Sequence, residues 1–161
     1  MECSCKSPRL KVETEKVIYE IEFGQVQIEI TGKCNMDCQH CRAFGQFKHD
    51  MPIDQIIKII KFARQYSPNY KEIVISGGEP LMHRDFLEVL KQVRKNGGDS
   101  VTLTTNGSLL NKEHLDLIRD LSFERFQLSI SLDSLNPKEH DELRNHTVAF
   151  QKAIKALKLI S

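Results

Sequence analysis

The stretch Cys34-Asn35-Met36-Asp37-Cys38-Gln39-His40-Cys41 holds three of the chain's five cysteines, spaced C-x3-C-x2-C. Thiolates are soft ligands, and three on one short loop can converge on a metal centre. Three is the informative number. Structural zinc sites close with four ligands, and iron–sulfur clusters are usually held by four cysteines. A trio therefore points to a four-iron cluster with one iron open to an outside ligand, and an open coordination position is where chemistry occurs. The loop alone leaves a second reading open, a structural zinc site completed by His40 or a distant cysteine.

Three further polar signatures stand downstream: Gly77-Gly78-Glu79-Pro80, Thr104-Thr105-Asn106-Gly107 and Ser131-Leu132-Asp133-Ser134. Each has an ordinary structural reading. Gly77-Gly78 makes a tight turn, Asn106-Gly107 is a common turn pair, Ser131 is a strand residue and Asp133 a cap. The glycine pair is neither a P-loop nor a dinucleotide fingerprint, because the lysine and the glycine spacing those motifs need are missing. Two glycines do let backbone approach a ligand closely, and the neighbouring Glu79 carboxylate suits an ammonium group.

What must position these residues is read from periodicity. Val17 to Ile30 alternates as strands, with Tyr19, Ile21 and Phe23 on one face and Val26, Ile28 and Ile30 in a second run. Pro52 and Asp54 open a helix with Ile53, Ile56, Ile57, Ile60 and Ala63 on one stripe. Residues 72–76 form a short apolar strand, followed by a helix from about Arg84 with Phe86, Leu87, Leu90 and Val93 inward. Residues 101–104 form the next strand, followed by a helix from about Asn111 with Leu115, Ile118 and Leu121 on one side. Phe126 to Leu132 is a further strand. A polar connection then leads to a helix from about Thr147, burying Ala149, Ala153, Ala156, Leu157 and Ile160.

Alternating strands and helices predict an α/β fold with a parallel sheet and right-handed crossovers. The four signatures then follow four successive strands, and in such a sheet all strand C-termini lie at one rim, where ligands bind. Residues 1–16 read as a polar, loosely held extension carrying Cys3 and Cys5, and 17–161 as one domain. His49, His83, His114, His140 and His146 show no ligand spacing and are expected at the surface.

Composition narrows the function classes. The formal net charge is +1, so no strong field favours nucleic acid or a membrane. No apolar run approaches the roughly 18 residues of a membrane span, and the N-terminus has no signal-peptide core. A reducing cytoplasm suits clustered free cysteines.

At this point the chain resembles the radical S-adenosylmethionine (SAM) enzymes, over about residues 25–160, through the four signatures in this order. The resemblance implies a partial (β/α) TIM-type barrel, of whose usual six β/α units about four are present. It implies that Cys34, Cys38 and Cys41 ligate a [4Fe-4S] cluster and that SAM chelates the fourth iron. His40 would pack near the adenine, Gly77, Gly78 and Glu79 would hold the SAM amino group, and Ser131 would meet its carboxylate or ribose. Thr105, Asn106, Asp133 and Arg144 would border the same ligand, with a surface salt bridge as the ordinary reading of Arg144. The implied activity is reductive cleavage of SAM to a 5′-deoxyadenosyl radical that abstracts hydrogen from a substrate, fed by a flavodoxin- or ferredoxin-like electron donor. Within the superfamily the motifs look like the SPASM-type branch acting on peptides or proteins, with molybdenum-cofactor cyclases as near relatives. The helical pattern at Leu159-Ile160-Ser161 carries no stop signal, so a truncated core is expected. Two alternatives follow: a non-catalytic cluster- and SAM-binding module, and a zinc-stabilised interaction domain.

Overall fold

The structure, a computed structural model, describes residues 10–21, 24–42, 48–67 and 72–161. It opens with β1 (Leu10–Glu13) and β2 (Ile18–Ile21), which pair antiparallel as a separate two-stranded sheet. Part of the expected loose extension is thus a strand, because Leu10 and Val12 pair with Ile21 and Tyr19. The β2 side chains remain exposed. Cys3, Cys5 and Phe23 lie outside the described residues.

The main sheet follows. Its strands β3 (Gln25–Glu29), β4 (Glu72–Ser76), β5 (Ser100–Thr105) and β6 (Arg125–Ile130) are all parallel and lie side by side in chain order. Helices α1 (Ile53–Tyr66), α2 (Phe86–Lys95) and α3 (Lys112–Asp120) follow the first three; α4 (Pro137–Arg144) and α5 (Ala149–Ile160) follow β6. This is the expected α/β architecture, with four β/α units of a partial TIM-like barrel.

The register divides the sheet into two unlike faces. Val26, Ile28, Ile73, Ile75, Val101, Leu103, Phe126 and Leu128 align on one face. Buried against them are Ile56 and Ile60 of α1, and Phe86, Val89, Leu90 and Val93 of α2, at helical spacing. Full burial of each such side chain contributes about 1.5–3 kcal/mol. The opposite face carries Gln27, Glu72, Ser76, Thr102, Gln127 and Ser129 in register. Its groups satisfy one another: Gln27 Nε2 donates to Ser76 Oγ at 3.0 Å, and the Thr102 hydroxyl donates to Glu72.

Four details differ from the sequence reading. The expected polar connection contains α4, whose only buried side chain is His140. It has no apolar stripe to announce it; it is started instead by Pro137 and by Asn136, whose side chain accepts from Lys138 N–H at 3.0 Å. In α5 the buried face is Ala149, Ala153 and Ala156, while Leu157 and Ile160 are exposed. The inward side of α3 is Leu117, Ile118 and Leu121 rather than Leu115. Finally, His83 and His140 are buried, not superficial. His83 Nδ1 accepts from Asp85 N–H at 3.1 Å and its Nε2 meets Met51 O at 3.0 Å. His140 Nδ1 accepts from Asp133 N–H at 3.2 Å. Hydrogen bonds at the ring nitrogens offset the cost of burying an imidazole.

Candidate functional site

The cysteine loop leaves β3 through Ile30-Thr31-Gly32-Lys33 and is pinned at once. Thr31 Oγ1 and Lys33 Nζ donate to Asp50 at 2.8 and 2.7 Å, and Lys33 N–H donates to Thr31 Oγ1 at 3.1 Å. The Asp50 side chain is 4% exposed. Burial pushes its carboxyl up, but the hydrogen bonds from Lys33, Thr31 and the Arg84 backbone outweigh that and hold it at about 2.

The segment after β4 is laid directly on this loop. Gly78 N–H donates to Thr31 O at 2.8 Å and Glu79 N–H to Lys33 O at 2.7 Å. A Cβ at Gly77 would run into Thr31 O, and one at Gly78 into Lys33 O. Gly77 also has φ +146°, a region open to glycine. Both glycines are therefore required by backbone packing, whatever else they do. Glu79 is fully buried and faces β5, not the cavity. Its Oε1 accepts from Leu81 N–H at 3.1 Å and from the Thr105 hydroxyl at 2.6 Å, and its Oε2 from Asn106 N–H at 2.8 Å. Burial pushes this carboxyl above its ordinary range, against those three hydrogen bonds.

The end of β5 is joined to the cysteine loop by side chains. Asn106 Nδ2 donates to Asn35 Oδ1 at 3.0 Å, Asn35 Nδ2 donates to Ser108 Oγ at 2.8 Å, and Ser108 N–H donates to Asn106 Oδ1 at 2.9 Å. The end of α4 seats the same loop from the other side. Gln39 donates through N–H to Leu143 O and through Nε2 to Glu142 O, each at 3.0 Å. Arg144 then reaches inward. Its Nε and Nη2 bond the Asp133 carboxylate at 2.6 and 3.0 Å, and its Nη1 donates to Cys38 Sγ at 3.7 Å. Burial opposes its charge, but Asp133 and Cys38 hold the guanidinium protonated. The ordinary surface salt bridge is thus half right: Arg144 is paired with Asp133, but only 12% of its side chain is exposed.

These segments enclose a cavity of about 310 Å³. Cys34, Cys38, His40, Cys41 and Arg42 form one wall; Gly77 and Gly78 form a second; Thr104, Thr105 and Asn106 a third; Ser131 and Arg144 a fourth. The sequence-predicted residues are therefore brought together, except that Glu79 and Asp133 stand behind the walls as supports. Arg42, Asn35 and Gln39 were not read from sequence, although all three lie in or beside the cysteine motif. Cys34 is exposed as a residue, yet partial burial of its thiol pushes the pKa up, and Glu79, Cys38 and Cys41 add to this against a Met36 hydrogen bond. Among the described residues no three His, Cys, Asp or Glu side chains stand close enough to share one metal ion. The three thiols instead border a common space large enough for a ligand, a donor set that fits a polynuclear cluster with an open position. No helix among the described residues is long and apolar enough to cross a membrane.

A parallel sheet that gathers three thiols and a polar rim at its strand C-termini has the layout in which β/α proteins place their ligand sites. The model of the radical SAM superfamily matches residues 28–161, and the chain belongs to that superfamily of enzymes. A probable GTP 3′,8-cyclase of Methanococcus maripaludis (strain C5) is 33% identical over 128 residues, 78% of this chain and 41% of the relative. The cyclase resemblance read from the motifs is met here at the level of sequence. By fold, the chain is similar to Streptococcus suis SuiB bound to precursor peptide SuiA, with TM-score 0.72 and 21% identity, over 86% of this chain and 30% of that one. It is also similar to anSMEcpe with bound AdoMet, with TM-score 0.67 and 18% identity, over 87% of this chain and 40% of that one. The chain spans less than half the length of these relatives.

Proposed function

We propose that this chain is a radical SAM catalytic core. Cys34, Cys38 and Cys41 would hold a [4Fe-4S] cluster, and SAM would occupy the cavity beside them. Together these groups supply one-electron reductive cleavage of a carbon–sulfur bond and hydrogen-atom abstraction from a substrate. The chain's own residues orient and shelter that chemistry. Gly77 and Gly78 offer bare backbone to a ligand, Ser131 and Asn106 offer polar groups from the facing walls, and His40 offers a ring beside the last cysteine. Glu79 fixes the third wall from behind through Thr105 and Asn106.

One observation carries the reading: all three cysteines of the loop border a single cavity whose other walls are the C-terminal ends of β4, β5 and β6. The experiment is anaerobic reconstitution with iron and sulfide, then incubation with dithionite and SAM, scored for 5′-deoxyadenosine, with Cys38→Ala as control. Product that vanishes in the variant supports the reading. A brown protein without product would leave a cluster- and SAM-binding module, and a colourless protein that retains zinc would overturn the assignment of the loop.

For the substrate, the motif resemblance and the peptide-bound SuiB neighbour support a peptide or protein. The second reading is a purine nucleotide, favoured by the cyclase relatives, whose 33% identity exceeds the 21% of the fold neighbour. Consumption of GTP by the reconstituted protein with SAM and dithionite would decide for the nucleotide.

A further inference from the structure

Arg144 is held with unusual completeness for a side chain at a cavity edge. Nε and Nη2 are spent on Asp133, and Nη1 is aimed at Cys38 Sγ. The turn beneath it is fixed as well. Asn145 caps α4 with φ 46°, and the Asp141 carboxylate accepts Val148 N–H and Phe150 N–H, each at 2.8 Å. Asp133 is itself held by its own N–H on His140 Nδ1. The cysteine loop is seated on the same helix end through Gln39. Donor and sulfur are thus carried by two elements that are hydrogen-bonded to each other.

We propose that Arg144 is a positioning residue that tunes the reduction potential of the metal centre through its hydrogen bond to Cys38, with Asp133 as the counter-charge. The inference rests on the assignment of Cys38 as a cluster ligand made above. Hydrogen bonds to ligating sulfur and nearby positive charge both favour the more electron-rich state of a cluster, and so raise its potential. Asp133 neutralises most of the guanidinium's charge while fixing its direction, so the donor acts on one sulfur without making the site strongly cationic.

The test is a potentiometric titration of the reconstituted full chain under anaerobic conditions. The reduced cluster is read by electron paramagnetic resonance, and iron and sulfide per chain are counted for each sample. Arg144→Met is expected to load the same iron and to shift the midpoint downward. A tenfold fall in the ratio of reduced to oxidised cluster at the wild-type midpoint is about 59 mV for a one-electron couple. Asp133→Asn, which keeps the shape and removes the counter-charge, is expected to shift it upward. Unchanged midpoints in both variants at full iron loading would overturn the proposal and leave the cluster assignment standing. Failure of the wild-type chain to take up iron and sulfide would remove the assignment itself and this inference with it. If Arg144→Met does not fold, Arg144→Lys carries the test, since it keeps the charge and loses the three-way fork; a downward shift is expected, and no shift overturns the proposal.

Discussion

The Thr105 hydroxyl donates to the Glu79 carboxylate at 2.6 Å inside the protein, joining the segment after β4 to the end of β5. The same hydroxyl accepts Gly107 N–H at 3.0 Å, so the contact also shapes the turn that leaves β5. Glu79 accepts and never donates. In Glu79→Gln the amide nitrogen must face at least one of the donors that now converge on the carboxylate. The expected loss is about 1–3 kcal/mol of folding stability, measured by urea denaturation of the metal-free chain. Thr105→Val, which leaves Glu79 its two backbone donors, is expected to cost less. A Glu79→Gln variant as stable as wild type would mean that the buried carboxylate is not the acceptor described here.

Gly78→Ala tests the close approach of the two loops. The added methyl would meet Lys33 O and Cys34 Cβ, neither of which is the free end of a flexible side chain. The strain is expected to cost about 1–3 kcal/mol and to displace the cysteine loop. Circular dichroism melts report the first effect, and the alkylation rate of Cys34 reports the second. An unchanged melt and an unchanged rate would show that the two backbones are not in contact.

Asp50 predicts a limb of acid sensitivity. Its folded carboxyl sits at about 2 against an ordinary 3.8, so the unfolded chain takes up the proton first. The contribution is complete above pH about 4 and is lost as pH falls toward 2. Because its charged partner Lys33 is 36% exposed, screening reduces the effect to on the order of 1 kcal/mol. Asp50→Asn should be less stable than wild type at pH 7 and should lose the difference by pH 2. A constant difference across that range would contradict the assigned partners.

Val148 adopts φ 62° between α4 and α5, a left-handed conformation unfavourable for a β-branched residue, and its side chain is exposed. Relief of roughly 1–2 kcal/mol of strain exceeds the entropy cost of glycine, about 0.4–1 kcal/mol. Val148→Gly is therefore expected to raise stability slightly, read as a higher urea midpoint. A lower midpoint would show that the left-handed turn is not strained.

Strand ends were legible in the sequence because each apolar run stops at glycine or a small polar residue, and the parallel order follows from the alternation with helices. The cysteines and the glycine pair announced themselves by spacing. Other features left no such signal. The eight residues of α4 carry one buried side chain, so no periodicity marks them. A buried histidine such as His83 has the same letter as a surface one, and only its partners Met51 and Asp85 distinguish the two. Glu79 beside two glycines suits an ammonium group by its type, but its donors are Leu81 N–H, just after it in the chain, and the Thr105 hydroxyl and Asn106 N–H at the end of β5, the last two of which no local pattern announces. Asn35 joins two loops 71 residues apart in sequence, a relation that no local pattern carries.

The seat of the cysteine loop has a consequence for biogenesis. Arg144 lies 106 residues after Cys38, and Glu142 and Leu143 immediately precede it. At a synthesis rate of about 5–20 residues per second, roughly 5–20 s separate the ribosome's addition of the thiols from its addition of their support. During that interval the nascent loop has no α4 to rest on. Iron delivered co-translationally would meet an unfinished wall, whereas delivery after the fourth β/α unit meets a loop already held in place. The α4 end that seats Gln39 and reaches Cys38 through Arg144 is thus added only after all three thiols, so the loop acquires its support late in the order of the chain.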